Sequence, residues 1–386
     1  MTQPPDQSQA TGVRGAIRLG RIAGIDIGVH YTWLLAFVLI TWSLASGYFP
    51  ANFKHWSPIT YWLTGILASI LLFASVLTHE LAHSIVAKSR GIPVRSIILF
   101  IFGGVSNIES EPDKPGDEFT MAGVGPLTSL ALALIFWGLA ALVGDRQSPL
   151  AAMLTYLALI NAILAVFNIL PGLPLDGGRV LRAIVWRVTG SLTRATNIAA
   201  MVGHILAWLL IIAGFFEFIG GSFLNGLWTT FIGWFLNTAA ESSRGATILR
   251  QHLSGVKVRD VMNPNLEIVS PSMSVADLVR EIFLQHGRRV VAVGHESSLL
   301  GVVTPSDVRQ LPQELWSQTS VERIMRREPF PGVSIDEDLN VALKLLTEHN
   351  LDQLLVLENG QLRGLLGRGD IIHYLQISQE LGLRAK

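Results

Sequence analysis

Thr78-His79-Glu80-Leu81-Ala82-His83 is the stretch on which the fold turns. It holds an H-E-x-x-H pattern. In a helix, His79 and His83 stand at i and i+4, one turn apart on one face. That spacing lets two imidazoles grip one Zn2+, with Glu80 beside the metal to handle a proton. The preceding run from Tyr61 to Leu77, YWLTGILASILLFASVL, carries no charge. An apolar helix of that length is a candidate to cross a membrane. Two imidazoles and a carboxylate at its end are costly to bury, so a functional role is the first reading.

Composition agrees with a membrane setting. Half of the 386 residues are hydrophobic, 15% are charged, and mean hydropathy is +0.44, which points to an integral membrane protein with a soluble part. The formal net charge is zero, which gives no reason to expect a nucleic-acid partner. Cysteine is absent, which excludes thiolate metal sites, disulfides and a cysteine nucleophile. Residues 1–15 are polar and rich in Pro and Gln, and are expected to form a disordered tail. The first long apolar run lies beyond residue 30, so no cleavable signal peptide is expected.

Outward from the motif, residues 16–245 read as a membrane core of about six spans. Ala16 to Val29 alternates weakly and predicts a short strand or two at the membrane surface. Spans are expected over His30–Tyr48, the run ending at His83, Phe119–Val143, Pro149–Leu170, Ala199–Phe218 and Phe223–Thr238. Val94 to Ile108 is apolar but split by Gly103-Gly104. It predicts a hairpin or loop dipping beside the site rather than a span. Glu109 to Glu118 is acidic and is expected in water. Pro171-Gly172-Leu173-Pro174-Leu175-Asp176-Gly177-Gly178-Arg179 should resist regular helix, with a surface helix near Arg182–Gly190. Arg18, Arg21, Lys88, Arg90, Arg179, Arg182, Arg187 and Arg244 fall on one set of loops, and only Lys54 and Arg146 on the other. The positive-inside rule then places both termini, His83 and Asp176 at the cytoplasmic side of the cell membrane.

After a linker at 246–256, the composition becomes that of a soluble domain with an internal repeat, 257–314 and 315–386. Val258-Arg259-Asp260-Val261-Met262 parallels Val321-Glu322-Arg323-Ile324-Met325. His286 to Val293 parallels Asn350 to Leu357. Gly301 to Val308 parallels Gly364 to Ile371. Each unit reads as a helix, a short apolar strand, a turn, another strand and a final helix. The two units would bury their apolar sheets against each other.

Two histidines do not complete a catalytic zinc site, which generally has three protein ligands and one open position. With no Cys, the third must be His, Asp or Glu. Asp176 is the best candidate, because it ends an apolar span on the same side as His83. Its alternative role is to cap the helix that follows. Asn168 is a candidate to hydrogen-bond substrate or oxyanion, with interhelical packing as the alternative, which is preferred for Asn161. His204 is expected to bond a neighbour rather than a metal.

His79-Glu80-Leu81-Ala82-His83, the Gly103-Gly104 hairpin and the run Asn168 to Gly178 together resemble the site-2 protease family of intramembrane zinc metalloproteases. The repeats resemble cystathionine-β-synthase (CBS) domains, and the order of the two parts is similar to one prokaryotic subgroup of that family. The resemblance implies a multi-span α-helical membrane protein with a small β-hairpin element, followed by an α+β tandem CBS module. It implies one Zn2+ held by His79, His83 and Asp176, with Glu80 as general base. The substrate it implies is a transmembrane segment of a membrane-bound regulatory protein, cut after another protease has trimmed it. Such a segment must unwind before its backbone is exposed, and the hairpin at Gly103 and Gly104 offers a strand edge to hold it. In the repeats, Thr304 and Asp307 match the CBS pattern in which Thr and Asp contact a nucleotide ribose and phosphate. The second repeat keeps Asp370 but has Gly367 in place of the Thr. An adenine nucleotide is the expected ligand, with ligand-free folding and homodimerisation modules as the alternative. The rivals are a CBS-gated transporter or channel, which would spread ionisable residues along several spans, and an inactive scaffold, which would carry a broken motif.

Overall fold

A computed structural model of the chain describes residues 15–381 except 102, 109, 265–267, 286–289, 296–297, 328–331, 350 and 360. Most of the expected N-terminal tail, Glu109, and His286 to Arg289 and Asn350 of the repeat lie outside the described residues. The chain divides into two units, Met1–Gly245 and Ala246–Lys386.

In the first unit, β1 (Ala16–Ile22) and β2 (Ile25–His30) form an antiparallel hairpin. Helix α1 (Tyr31–Asn52) follows, then α2 (Pro58–Ser89). Next come β3 (Val94–Phe100) and β4 (Gly103–Ile108), and then α3 (Pro115–Leu142), α4 (Pro149–Asn168), α5 (Asp176–Thr189), α6 (Leu192–Ile219) and α7 (Phe223–Leu253). Among the described residues, α1, α2, α3, α4 and α6 are the five helices long and apolar enough to cross a membrane. The sixth span expected over Phe223–Thr238 falls short of that measure, because polar Asn225, Thr229, Thr230 and Asn237 interrupt it. The expected 246–256 linker is helical as far as Leu253.

The five helices pack through small residues, which let backbones approach without a hydrophobic driving force. On α2 the buried set is dominated by Gly65, Ala68, Ser69, Ser75, Ser84 and Ala87, together with His79 and His83. Thr41 donates across to Ser69 Oγ at 2.9 Å. The outward faces are large and apolar, with Leu142, Val166 and Phe216 exposed. That inverted distribution suits a lipid surround.

The hairpin expected at 94–108 is there, and it is half of a larger sheet. The four strands run in the order β1-β2-β3-β4. β2 and β3 pair in parallel, Asp26 with Ser96 through Val29 with Leu99. That pairing joins segments on either side of two helices, which no local pattern announces. Gly103 opens β4 at φ +126°, a conformation that L side chains rarely adopt. Among the described residues β4 pairs only with β3, which leaves its outer edge unpaired.

The run around Asp176 is more regular than its composition predicts. Helix α5 begins at Asp176 itself, with Gly177 and Gly178 in its first turn. The glycines serve close approach: a Cβ at Gly177 would stand 2.1 Å from Ile169 O, and one at Gly178 2.2 Å from Gly172 C. Leu173 N donates to Ala199 O at 3.1 Å, and a Cβ at Gly203 would stand 2.1 Å from Leu173 O. The loop is thereby pressed onto α6. Glu118, expected in water, is instead fully buried at 0% exposure, because Arg182 of α5 neutralises it.

Among its described residues, the second unit has two three-stranded sheets, ordered β5-β6-β7 and β10-β9-β8. Their strands are β5 (Ile268–Val269), β6 (Val291–His295), β7 (Ser298–Val303), β8 (Gly332–Ser334), β9 (Gln353–Glu358) and β10 (Gln361–Gly367). The expected strand–turn–strand pairs are β6–β7 and β9–β10. Each gains a leading strand, β5 or β8, that pairs in parallel and is too short to show an alternation. The entry segments are exchanged between cores. Val256 and Val258 pack with Leu339, Leu354 and Leu366, and Val321 packs with Val269, Val293 and Val303.

Candidate active site

The H-E-x-x-H residues lie in α2, whose regular turns carry His79 and His83 to one buried face. Asp176 reaches them from the first turn of α5. His79 Nε2 stands 3.2 Å from Asp176 Oδ2, His83 Nε2 stands 3.1 Å from it, and the two Nε2 atoms are 3.1 Å apart. Asp176 does not cap its own helix: Leu175 holds the N-cap position, with no side-chain hydrogen bond there. Among the described residues this trio is the one group of three that could hold a metal ion.

The other ring nitrogen fixes the tautomer of His83. His83 Nδ1–H donates to Met121 O at 2.5 Å, and a carbonyl only accepts. His79 Nδ1 meets Ser129 Oγ at 2.9 Å. The Ser129 hydroxyl can accept from His79 Nδ1–H in the same way, and in that tautomer both Nε2 lone pairs and a carboxylate oxygen converge on one point. Three acceptors so close repel unless a cation lies between them. Donors on a tetrahedron with bonds of about 2 Å are about 3.3 Å apart, near the distances seen here. The donor set fits zinc.

Backbone completes the cradle. A Cβ on Gly125 of α3 would stand 2.2 Å from His83 Nε2 and 2.7 Å from His79 Nε2. Only glycine lets α3 lie against both rings. Glu118 Oε1 accepts from Arg182 Nε at 2.6 Å, which ties α3 to α5, the helix that presents Asp176. Glu80 points from the same turn as the histidines, and its Oε2 accepts from Ser106 Oγ of β4 at 2.7 Å.

The trio and Glu80 are legible in the sequence, whereas the supporting roles of Ser129, Met121, Gly125, Ser106, Glu118 and Arg182 are not. The one available signal was Gly123-Val124-Gly125-Pro126, two glycines and a proline in a run that is otherwise a good helix. Of the other expected residues, Gly104 lies against Glu80, with a built Cβ 2.5 Å from its Cγ, and Gly103 is at the turn. Asn168 ends α4 and forms no hydrogen bond to the trio. Asn161 is buried and donates to Ser75 Oγ and Leu157 O. His204 bonds Asn237 Oδ1 at 2.7 Å.

In the second unit, Thr304 lines a cleft of about 890 Å³ together with Ser306, Trp316, Arg326, His349 and Asp352. Asp307 turns back on its own chain. Its Oδ2 accepts from Thr304 N and Thr304 Oγ1 at 2.9 and 2.6 Å, and its Oδ1 from Arg326 Nε at 2.6 Å. Asp370 likewise accepts from Gly367 N at 2.7 Å. Both aspartates fasten the start of a helix, and Thr304 is the one of the three that faces the cleft.

The profile of peptidase family M50 matches residues 67–147 and 145–210, and that of the CBS domain matches 258–314 and 321–377. The Synechocystis protein named zinc metalloprotease sll0528 is 36% identical over 369 residues, covering 94% of this chain and 96% of that protein. The chain belongs to peptidase family M50. The Mycobacterium tuberculosis protein named zinc metalloprotease Rip3 is 34% identical over 371 residues, covering 95% of this chain and 94% of its own. The solved site-2 protease of Methanocaldococcus jannaschii shares 30% identity over 59% of this chain and 94% of that one, with a TM-score of 0.41. This M50 member is a site-2-protease-like zinc metalloprotease of the multi-pass membrane type, and it carries a CBS pair.

Proposed function

We propose that this M50 protein is an intramembrane endopeptidase that cuts the transmembrane segment of a single-pass, membrane-bound regulatory protein. The convergence of His79, His83 and Asp176 carries that reading. The ion expected there supplies a bound water acidified towards neutral pH and polarisation of the scissile carbonyl. His79 and His83 hold their Nε2 atoms inward because Ser129 and Met121 O take the opposite ring positions. Glu80 takes a proton from the attacking water and returns it to the leaving amine. The free edge of β4, beside Glu80, receives the unwound substrate as an added strand. The low side-chain exposure of His79, His83 and Asp176, 13% or less, limits access of bulk water.

The positive-inside pattern supports cytoplasmic termini, which requires α7 to complete an even number of spans, and a site near the inner face of the cell membrane. The CBS pair would then sense an adenine nucleotide in the cytoplasm, at the cleft by Thr304, and regulate cleavage. A CBS-mediated homodimer and prior trimming of the substrate complete the proposal. The transporter and scaffold readings lose ground because the motif is intact and its ionisable residues meet at one buried point.

The test compares purified wild type with Glu80→Gln for zinc content and for cleavage of a tagged single-pass transmembrane peptide. The expected outcome is equal zinc in both and a loss of cleavage of about 10²-fold or more in the variant. Unchanged cleavage by Glu80→Gln would remove Glu80 as the base.

A further inference from the structure

Strand β4 meets Glu80 at two places. Ser106 Oγ donates to Glu80 Oε2 at 2.7 Å, and the Gly104 backbone comes so near that a Cβ there would be 2.5 Å from Glu80 Cγ. Positions 104 and 106 share one face of the strand. Behind Ser106 stands Ser84, fully buried and one turn along α2 from Glu80, whose Oγ donates to Ser106 Oγ at 3.2 Å. The hydroxyls thus form a chain with a single direction, from Ser84 to Ser106 to Glu80. It ends on one carboxylate oxygen. Among the described residues, Oε1 accepts no hydrogen bond, so it is the oxygen left for proton transfer.

A free Glu side chain samples many rotamers, and a proton-transferring group loses effect when it leaves hydrogen-bond reach of its target. The hydroxyl that restricts Glu80 sits on the strand with the unpaired edge, not on the helix that carries the histidines. A segment added to that edge would press on the strand that holds the base.

We propose that Ser106 is the positioning residue for Glu80, selecting which carboxylate oxygen faces the reacting centre and tying that choice to β4. The proposal rests on the reading of Glu80 as the base. Ser106 touches neither zinc ligand, so its removal should leave metal binding alone. It acts on turnover and not on substrate affinity.

The experiment uses the full-length protein in detergent, as wild type, Ser106→Ala, Ser106→Thr and Glu80→Gln. Zinc content is measured with kcat and KM on one fluorescently tagged single-pass transmembrane peptide. Ser106→Ala should keep its zinc and a KM within about twofold, while kcat falls about tenfold or more. Ser106→Thr retains the hydroxyl and should recover kcat to within about threefold of wild type. Three results would each overturn the proposal: kcat of Ser106→Ala within about twofold of wild type, zinc lost in step with activity, or no recovery in Ser106→Thr. Cleavage by Glu80→Gln at the wild-type rate is a different failure. It removes the base assignment underneath, and is told apart because it appears with Ser106 intact.

Discussion

At the scale of single residues, the site is an arrangement of acceptors that only a cation or proton reconciles. Its weakest tolerance is at Gly125. A methyl there would overlap His83 Nε2, so Gly125→Ala should lower zinc content to well below one per chain while the five apolar helices still form. Metal analysis together with far-ultraviolet circular dichroism checks both halves. Acid should act on the same atoms. Protons compete for the imidazole lone pairs, so zinc is held at neutral pH and released as pH falls through the titration of the bound set. Equilibrium dialysis across that range should show loss in the acid direction only. Much of this site was legible in the chain: His79, Glu80 and His83 are neighbours on one turn, and Asp176 stood out as a carboxylate closing an apolar run. Ser129 and Met121 were not legible, because they lie 50 and 38 positions from the rings they serve. A serine or a backbone carbonyl in an apolar helix carries no mark of its role.

At the scale of elements, the relation between α3 and α5 decides where Asp176 sits, and the Glu118–Arg182 pair is the charged link between them. Arg182 is 5% exposed and Glu118 fully buried. Removing one partner leaves the other charge stranded, at a cost of about 3–5 kcal/mol. Arg182→Ala and Glu118→Ala should each lower the melting temperature in detergent sharply. The double change Glu118→Leu with Arg182→Met should recover much of that loss, since no lone charge remains. Glu118 was misread from sequence as a water-facing acid because its partner lies 64 positions away. The hairpin at β3 and β4 was legible from its glycine-broken apolar run. The parallel junction of β2 with β3 was not, because registers between distant strands are set by packing. The free edge of β4 gives a clean cross-linking test, since the chain has no native cysteine. Val105→Cys, on an exposed position of β4, should form a disulfide with a substrate whose cysteine lies near its cut. It should form none with a cysteine at the substrate's far end. Equal yields at both positions would remove strand addition at this edge.

At the scale of the whole molecule, two units with different chemistry share one chain. The repeat that identifies the second was visible at 63-residue spacing between Val258 and Val321. The exchange of entry segments between its cores was hidden, because it depends on which neighbour each valine finds. The cleft by Thr304 predicts that an adenine nucleotide stabilises this unit. At a ligand concentration of 100 Kd, the gain is about 2.7 kcal/mol. A thermal shift with AMP or ATP, diminished by Thr304→Ala, is the expected result. No shift with either nucleotide would favour ligand-free folding modules.

The account depends most on one coordination sphere, drawn from two elements nearly a hundred residues apart. X-ray absorption at the zinc edge, on purified wild type and Asp176→Ala, measures it directly. The account predicts one zinc per chain with two imidazole nitrogens and a carboxylate oxygen at about 2.0–2.2 Å, and loss of the metal or of that oxygen in the variant. A wild-type protein without zinc, or an unchanged shell in Asp176→Ala, would contradict it.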